Sequence, residues 1–312
     1  MTKEFFISGF RGRLFSQAPL APRTTWRMGG VARWLVQPLD LPDLYHLVTR
    51  WPAGVPRLLL GGGSNLLIDD AGFSGIVIDL SAHFNKITLE ESSNGISKTL
   101  QVGAGVSTRH LAHQARHLGL TGTEFLSGIP GTFGGAIWMN AGAYGHEMKD
   151  ILQEVDLMDP EGGMHTLPVE QLGMSYRQTK IDPNWFVIGG KIRLRPDHPP
   201  AILARMRHLN RLRAQSQPLR YPSAGSTFRN PPTGPKAWQL IDAAGLRGYR
   251  YGDAQVSEKH SNFLINCGQA KTADMLELID QVQKKVALTS GIHLQLEVCF
   301  VPAHGLPKER TR

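Results

Sequence analysis

"SGIPGTFGG", residues 127–135, is one of two glycine-rich loops in the sequence, and "GGGSN", residues 61–65, is the other. Glycine lets the backbone approach a phosphate closely and turn its N–H groups toward it. Either loop alone is also compatible with a tight turn. Neither matches GxGxxG or GxxxxGK[ST], so neither the dinucleotide fingerprint nor a nucleoside-triphosphate loop is supported. Two such loops in one basic chain favour a large phosphorylated cofactor.

Around these loops the sequence alternates between strand and helix patterns. The stretches 31–38 and 75–80 predict strands, 57–68 predicts a strand followed by a glycine loop, and "DPEGG" at 159–163 predicts a hairpin turn. Residues 41–51 predict a helix, so the sequence indicates an α+β protein. The predicted apolar face of that helix consists of Leu41, Leu44, Tyr45 and Val48.

The chain has 312 residues and a formal net charge of +8, which would suit nucleic acid, a membrane surface or an anionic small substrate. The densest basic stretch, 204–220, combines apolar residues at helical spacing with arginines on the flanks, a pattern typical of a solvated helix face. No nucleic-acid reader module or aromatic-interleaved basic strip is present. We therefore expect no nucleic-acid partner, although a basic nucleic-acid-binding protein remains the more distant alternative.

The sequence gives no sign of export. No apolar run approaches the roughly 20 residues of a membrane span, and residues 1–15 lack the apolar stretch of a secretory signal. Cys267 and Cys299 lie far apart without a CxxC motif, which argues for a reducing compartment and against a metal cluster. We expect a cytoplasmic protein without a membrane partner.

Three histidines, His110, His113 and His117, fall at spacings of three and four on one predicted helix. This spacing could indicate a metal site, but Arg109 and Arg116 beside them favour a solvated face. We assign no metal site.

The segment "YPSAGSTFRNP", 221–231, places Ser226 directly after Gly225 and ahead of Pro231. Proline presets the backbone and glycine allows a sharp bend, so this short polar segment is predicted to be held in place. Most such segments are ordinary loops, and an unactivated serine is a poor acid. The stretch 293–301 predicts a strand in which Glu297 points away from the apolar face and can reach a cleft.

Seven ordered blocks make the sequence resemble the UDP-N-acetylenolpyruvoylglucosamine reductase family, and the resemblance covers nearly the whole chain. The blocks are "TTWRMGG" (24–30), "GGGSNLL" (61–67), "SGIPGTFGGAIWMNAGAYG" (127–145), "SYRQT" (175–179), "PSAGSTFRNP" (222–231), "LIDAAGLRGYRYGDAQVSEKHSNFLIN" (240–266) and "LQLEVCF" (294–300).

This resemblance implies an FAD-binding fold of the vanillyl-alcohol-oxidase and p-cresol-methylhydroxylase type. Two α+β subdomains, 1–80 and 81–200, would bind FAD non-covalently, and a substrate-binding α+β domain would follow over 201–312. The short spacing before residue 240 suggests the subtype without an extra tyrosine-bearing loop. The implied FAD-binding residues are Gly61, Gly62, Gly63, Ser64, Asn65, Ser127, Gly128, Ile129, Pro130, Gly131, Gly134 and Gly135.

The resemblance also implies the reaction. NADPH would reduce FAD, and hydride would then reach C3 of the enolpyruvyl group of UDP-N-acetylglucosamine enolpyruvate, giving UDP-N-acetylmuramate for peptidoglycan. Arg177 would stabilise the enolate-like charge, and Ser226 would protonate C2. Glu297 would act beside Arg177, as an acid if burial raised its pKa. A protein of this family would serve cell-wall biogenesis, cell shape and cell division, and we expect a monomer. The implied substrate contacts are Tyr144, Tyr176 and Asn230.

Two positions depart from the family pattern, since Arg229 stands where lysine is frequent and Arg23 where asparagine is common. Details of the substrate and adenine contacts are therefore open. The nearest alternative is another FAD oxidoreductase of the same fold, such as an alcohol oxidase. Many of those bond flavin through a histidine in the glycine loops, and residues 61–65 contain none.

Overall fold

A computed structural model describes residues 9–90 and 97–305. The first part of the chain contains β1 (Arg13–Pro19), β2 (Val31–Gln37), α1 (Leu41–Thr49), β3 (Arg57–Leu60), β4 (Leu66–Ile68) and β5 (Phe73–Asp79). Four strands form a sheet in the order β1-β2-β5-β3, and β5 is parallel to both β2 and β3. Because parallel strands end at the same edge, the loop after β3 starts beside the end of β5.

The buried face of α1 differs in part from the prediction. Leu44, Leu47 and Val48 are buried, whereas Leu41 and Tyr45 are 37% and 51% exposed. Tyr45 lies about 100° around the helix from Leu44, which places it on the flank of the face that contacts the sheet.

The second part is an antiparallel sheet with two helices on it. It contains β6 (Ile87–Glu90), β7 (Lys98–Gly103), α2 (Thr108–His117), β8 (Leu120–Thr121), α3 (Phe133–Trp138), β9 (Gly142–Ala143), β10 (His146–Glu147), β11 (Leu152–Met158), β12 (Met164–Pro168) and β13 (Phe186–Pro196). The strand order is β12-β11-β13-β7-β6. The hairpin predicted through 159–163 is confirmed as the β11–β12 connection.

The third part contains α4 (Pro199–Ser216), α5 (Ala237–Ala243), β14 (Arg250–Tyr251), β15 (Ala254–Val256), β16 (Leu264–Asn266), α6 (Thr272–Ser290) and β17 (Cys299–Val301). The strand predicted over 293–301 is shorter than expected, since only β17 pairs in a sheet, parallel to β4. The preceding residues instead meet the 221–231 segment through a bridge between Leu296 and Phe228.

Two large cores organise these parts. The first is shared by both sheets and includes Ile202 and Met206 of α4. The second fills the C-terminal part, and Trp26 and Met28 from the start of the chain complete it. Contacts therefore cross between the parts, and the boundaries at residues 80 and 200 stay a prediction. Across the described ranges, no helix combines the length and apolar character that crossing a bilayer requires.

Candidate active site

All three parts of the chain line one central cavity of about 1570 Å³. This volume exceeds the roughly 300–1,000 Å³ of a typical small-molecule pocket, so there is room for more than one ligand. Every residue of the 61–65 loop lines the cavity, as do most of the predicted residues of the 127–135 loop. Ser127 is the exception, because it is buried and accepts a hydrogen bond from Asn210 Nδ2 at 3.2 Å.

The two glycine loops contact each other through their backbones. A Cβ atom on Gly62 would lie 2.5 Å from Gly131 Cα, and Gly131 has a φ of +130°. Side chains at these positions would force the loops apart. The result is a wall of backbone at the carboxyl edge of the first sheet, which fits the diphosphate of a dinucleotide such as FAD.

Arg177 and Glu297 meet on the cavity wall although 120 residues separate them. Arg177 Nε donates to Glu297 Oε1 at 2.9 Å, and Arg177 Nη2 donates to Gly142 O at 3.0 Å. The two side chains are 21% and 12% exposed. Arg177 has a φ of +55°, an uncommon conformation for a residue with a side chain. A cation is thus held in a fixed orientation beside the cavity.

The 221–231 segment forms a held turn, as predicted. Gly225 has a φ of +80°, and Ser226 lines the cavity. The side chain of Asn262 accepts from Phe228 N–H at 3.0 Å and donates to Phe228 O at 2.8 Å. No hydrogen bond links the Ser226 hydroxyl to another of the described residues, so the hydroxyl is available to a ligand.

The predicted direction of Glu297 is confirmed. Glu297 N–H donates to Thr227 O at 2.8 Å, and Arg229 N–H donates to Gln295 O at 2.9 Å. This antiparallel pairing aligns the turn with the C-terminal segment. Alternate side chains then face opposite sides, so that Gln295 and Glu297 line the cavity.

The cofactor loop is tied to the same segment. Asn65 Nδ2 donates to Glu297 O at 3.0 Å, and the N–H of Cys299 donates to Asn65 O at 2.9 Å. The 61–65 loop and Glu297 are therefore fixed relative to each other.

Of the three predicted substrate contacts, one lines the cavity and two do not. Tyr144 lines the cavity with a φ of +56°, and burial raises the pKa of its hydroxyl. Tyr176 and Asn230 lie outside the cavity wall, where Asn230 Nδ2 donates to the Tyr176 hydroxyl at 3.3 Å. The Tyr176 ring also packs on Arg177, whose Cζ lies 5.0 Å from the ring centre.

The cavity wall also carries Arg213, which the sequence pattern did not single out, and Arg229, which stands where lysine is frequent in the family. Burial lowers the pKa of the Arg213 guanidinium, whose Nε donates to Gln217 at 2.8 Å. Arg213 follows the buried Met206 by seven residues, so helical periodicity could have placed it on the inner face. Nε and Nη2 of Arg229 are buried without an acceptor among the described residues. A buried cation of this kind favours an anionic ligand.

The metal interpretation of the histidine helix receives no structural support. Across residues 9–90 and 97–305, no three His, Cys, Asp or Glu side chains are grouped to hold a metal ion. Burial, and then the charges of Arg116 and Arg109, lower the pKa of His113.

Comparisons with known proteins show which family the chain resembles. Residues 35–168 match the FAD binding domain, and residues 217–301 match the UDP-N-acetylenolpyruvoylglucosamine reductase C-terminal domain. The chain is 48% identical over 301 residues to UDP-N-acetylenolpyruvoylglucosamine reductase from Magnetococcus marinus, with 96% of each chain covered. It is 44% identical to the protein of that name from Gluconobacter oxydans, with 95% of each covered.

A solved structure gives the same answer for the fold. The crystal structure of UDP-N-acetylenolpyruvylglucosamine reductase from Thermus caldophilus superposes with a TM-score of 0.78 at 36% identity. The match covers 94% of this chain and 99% of that one. The predicted FAD-binding α+β fold and the predicted FAD cofactor are confirmed. The chain belongs to the UDP-N-acetylenolpyruvoylglucosamine reductase family.

Proposed function

We propose that this protein reduces the enolpyruvyl group of UDP-N-acetylglucosamine enolpyruvate to give UDP-N-acetylmuramate, with NADPH as reductant and non-covalent FAD as carrier. The observation that carries the proposal is the meeting of Ser226, Arg177 and Glu297 on one cavity that both glycine loops line. FAD, when bound, takes hydride from NADPH and supplies it to the substrate.

The two glycine loops are the proposed cofactor site. The residues that we assign to FAD are those of 61–65 together with residues 128–131, 134 and 135, which line the cavity, while Ser127 supports the second loop from behind. Neither loop contains a histidine or cysteine that could bond flavin covalently.

Arg177 is the proposed electrostatic residue. Hydride addition at C3 leaves negative charge that spreads into the carboxylate of the substrate, and a permanently charged guanidinium stabilises it. Glu297 holds this guanidinium through the 2.9 Å bond. Because the cation is oriented before substrate binds, little reorganisation is needed during the reaction.

Ser226 is the proposed proton donor to C2. An enolate is a strong base, so a hydroxyl that is held within reach can protonate it although serine is a weak acid. The bonds from Asn262 to Phe228 restrain the turn that carries this hydroxyl.

Two further cations of the cavity wall, Arg213 and Arg229, suit the other anionic groups of the two ligands. UDP-sugars carry a diphosphate and NADPH carries phosphates. We propose that Arg213 and Arg229 bind the phosphates of NADPH first and, after NADPH has left, the diphosphate of the UDP-sugar. Tyr144 contacts substrate from the wall, whereas Tyr176 and Asn230 would need substrate to extend beyond the cavity.

The setting of the reaction is also part of the proposal. Because the nucleotide sugar and NADPH are water-soluble, we propose that the enzyme acts in the cytoplasm, where its product would supply peptidoglycan synthesis and so cell shape and cell division. We propose that the enzyme acts as a monomer without a nucleic-acid partner.

The half-reactions test this proposal separately. Ser226→Ala is expected to leave reduction of the flavin by NADPH nearly unchanged and to slow its reoxidation by substrate about 10²- to 10⁴-fold. Stopped-flow absorbance of the flavin measures both rates. Ser226→Cys keeps a proton donor at the same position and should recover part of the loss. Equal survival of both half-reactions in Ser226→Ala would remove the proton-donor assignment.

A further inference from the structure

The segment 23–28 lies directly against the cofactor loop. Thr25 N–H donates to Gly63 O at 3.1 Å. A Cβ on Gly63 would lie 2.0 Å from Arg23 O, and Gly63 has a φ of +59°. The segment and the loop therefore fit together only with glycine at residue 63.

Trp26 carries the same segment into the C-terminal core. Its side chain is fully buried, and its indole N–H donates to Leu264 O at 2.8 Å. Asn266 Nδ2 donates a hydrogen bond to Trp26 O at 3.1 Å. Both partners are the end residues of β16, so Trp26 sets where this strand lies relative to the cofactor loop.

Strand β16 in turn holds the segment that carries Ser226. Asn266 N–H donates to Pro222 O at 3.0 Å, and Leu264 N–H donates to Thr227 Oγ1 at 3.3 Å. These bonds lie on either side of Ser226 along the chain. One series of contacts therefore runs from Gly63 through Trp26 and β16 to the serine turn.

We propose that Trp26 is a positioning residue that sets the place of the Ser226 hydroxyl relative to the cofactor loop. The inference rests on the proposed function, because it assumes Ser226 as proton donor. Without the indole donor, the buried Leu264 carbonyl loses its partner and β16 shifts to find another. Proton transfer is sensitive to such shifts, since a displacement of about 1 Å can slow a reaction 10²-fold.

The experiment compares Trp26→Phe with Trp51→Phe. Trp51 donates its indole N–H to a backbone carbonyl, Val55 O, at the same 2.8 Å, but it packs against the first core and not against the C-terminal core that contains β16. Trp26→Phe should slow flavin reoxidation by substrate about tenfold and increase its solvent deuterium isotope effect, because proton transfer becomes more rate-limiting. Flavin reduction by NADPH and the FAD dissociation constant, measured by flavin fluorescence, should stay as in wild type. Trp51→Phe should change none of these quantities.

A second variant, which breaks another bond of the same series, tests the inference should Trp26→Phe fail to fold. Asn266→Asp keeps the shape and the Oδ1 acceptor but replaces the donor to Trp26 O with a second acceptor, so it should give the same selective loss. Unchanged reoxidation and isotope effect in these variants would overturn the inference. So would an equal slowing of both half-reactions accompanied by weaker FAD binding, which would mark Trp26 as generally structural.

Wild type and Ser226→Ala are measured alongside, so that a failure of the proposed function can be distinguished from a failure of the positioning role of Trp26. If reduced wild-type enzyme is not reoxidised by substrate, the proposed function fails and the inference falls with it. If wild type and Ser226→Ala behave as proposed while Trp26→Phe matches wild type, only the positioning role is wrong.

Discussion

Arg229 and Arg213 lie in environments that favour the binding of an anion. Arg229 presents two buried nitrogens that lack acceptors among the described residues, and burial lowers the pKa of Arg213. A desolvated guanidinium without an acceptor is costly, and a phosphate or carboxylate offsets this cost with charge-assisted bonds.

Replacing Arg229 should therefore weaken substrate binding. Hydrogen bonds to charged groups contribute about 1.5–3 kcal/mol, so Arg229→Met should raise the KM for the UDP-sugar about 10- to 100-fold with a smaller change in kcat. Arg229→Lys keeps the charge but loses the planar fork and should be intermediate. Arg207→Met, on the exposed face of α4, is the control. An unchanged KM in Arg229→Met would show that the cation serves only the fold.

The half-buried His260 predicts that the free energy of unfolding depends on pH. It packs 4.8 Å from the Phe263 ring, and burial is the main cause that lowers its pKa, with Arg247 lowering and Asp242 raising it. The unfolded chain therefore binds a proton more readily than the folded one. The contribution to stability is present above the ordinary histidine pKa of about 6.5 and is lost as pH falls through the folded pKa.

Urea unfolding at about pH 8 and about pH 5.5 tests this sign. Wild type should lose more free energy of unfolding on acidification than His260→Gln, while His208→Gln, which changes an exposed histidine of α4, should follow wild type. A larger acid loss in His260→Gln would reverse the assignment.

At the scale of elements, the contact between the two glycine loops makes a sharp prediction. Gly62→Ala would place a Cβ 2.5 Å from Gly131 Cα and separate the loops. We expect FAD affinity to fall at least tenfold, since a preorganised site loses its geometry. Titration of apoprotein with FAD measures this. Gly54→Ala strains the backbone at a φ of +71°, but Gly54 lies outside the cavity wall, so this variant should lose some stability and still bind FAD as wild type does. Normal FAD affinity in Gly62→Ala would mean that the loops tolerate separation.

Local sequence patterns predicted where helices and strands lie, but they did not predict which segments pair with each other. The strand and helix positions follow from periodicity and turn residues, and the side of the chain that Glu297 faces followed from alternation alone. The same patterns gave a strand over 293–301 that the fold shortens, because 294–297 pairs with the serine turn. The inward position of Arg213 was hidden by its basic neighbours. A bond such as that from Trp26 to Leu264 spans 238 residues and leaves no local signal.

For the whole molecule, the C-terminal core depends on the beginning of the chain. Trp26 and Met28 pack with Met275, Leu278 and the other buried residues of α6, so the third part does not complete its own core. Stability of this part is thus tied to a segment that also contacts the cofactor loop.

Trp26→Ala should consequently destabilise the C-terminal part by about 3–5 kcal/mol, the usual loss for a large buried aromatic. Hydrogen exchange should show this as faster amide exchange in α6, more than 240 residues away along the chain, with less change in β11, whose residues belong to the other core. Trp238→Ala, which removes a tryptophan that is 38% exposed on α5, should have a smaller effect. Faster exchange confined to residues near Trp26 would mean that the C-terminal core is stable without it. Equal acceleration in β11 and α6 would mean instead that the two cores unfold as one unit, so that an N-terminal residue stabilises the molecule as a whole.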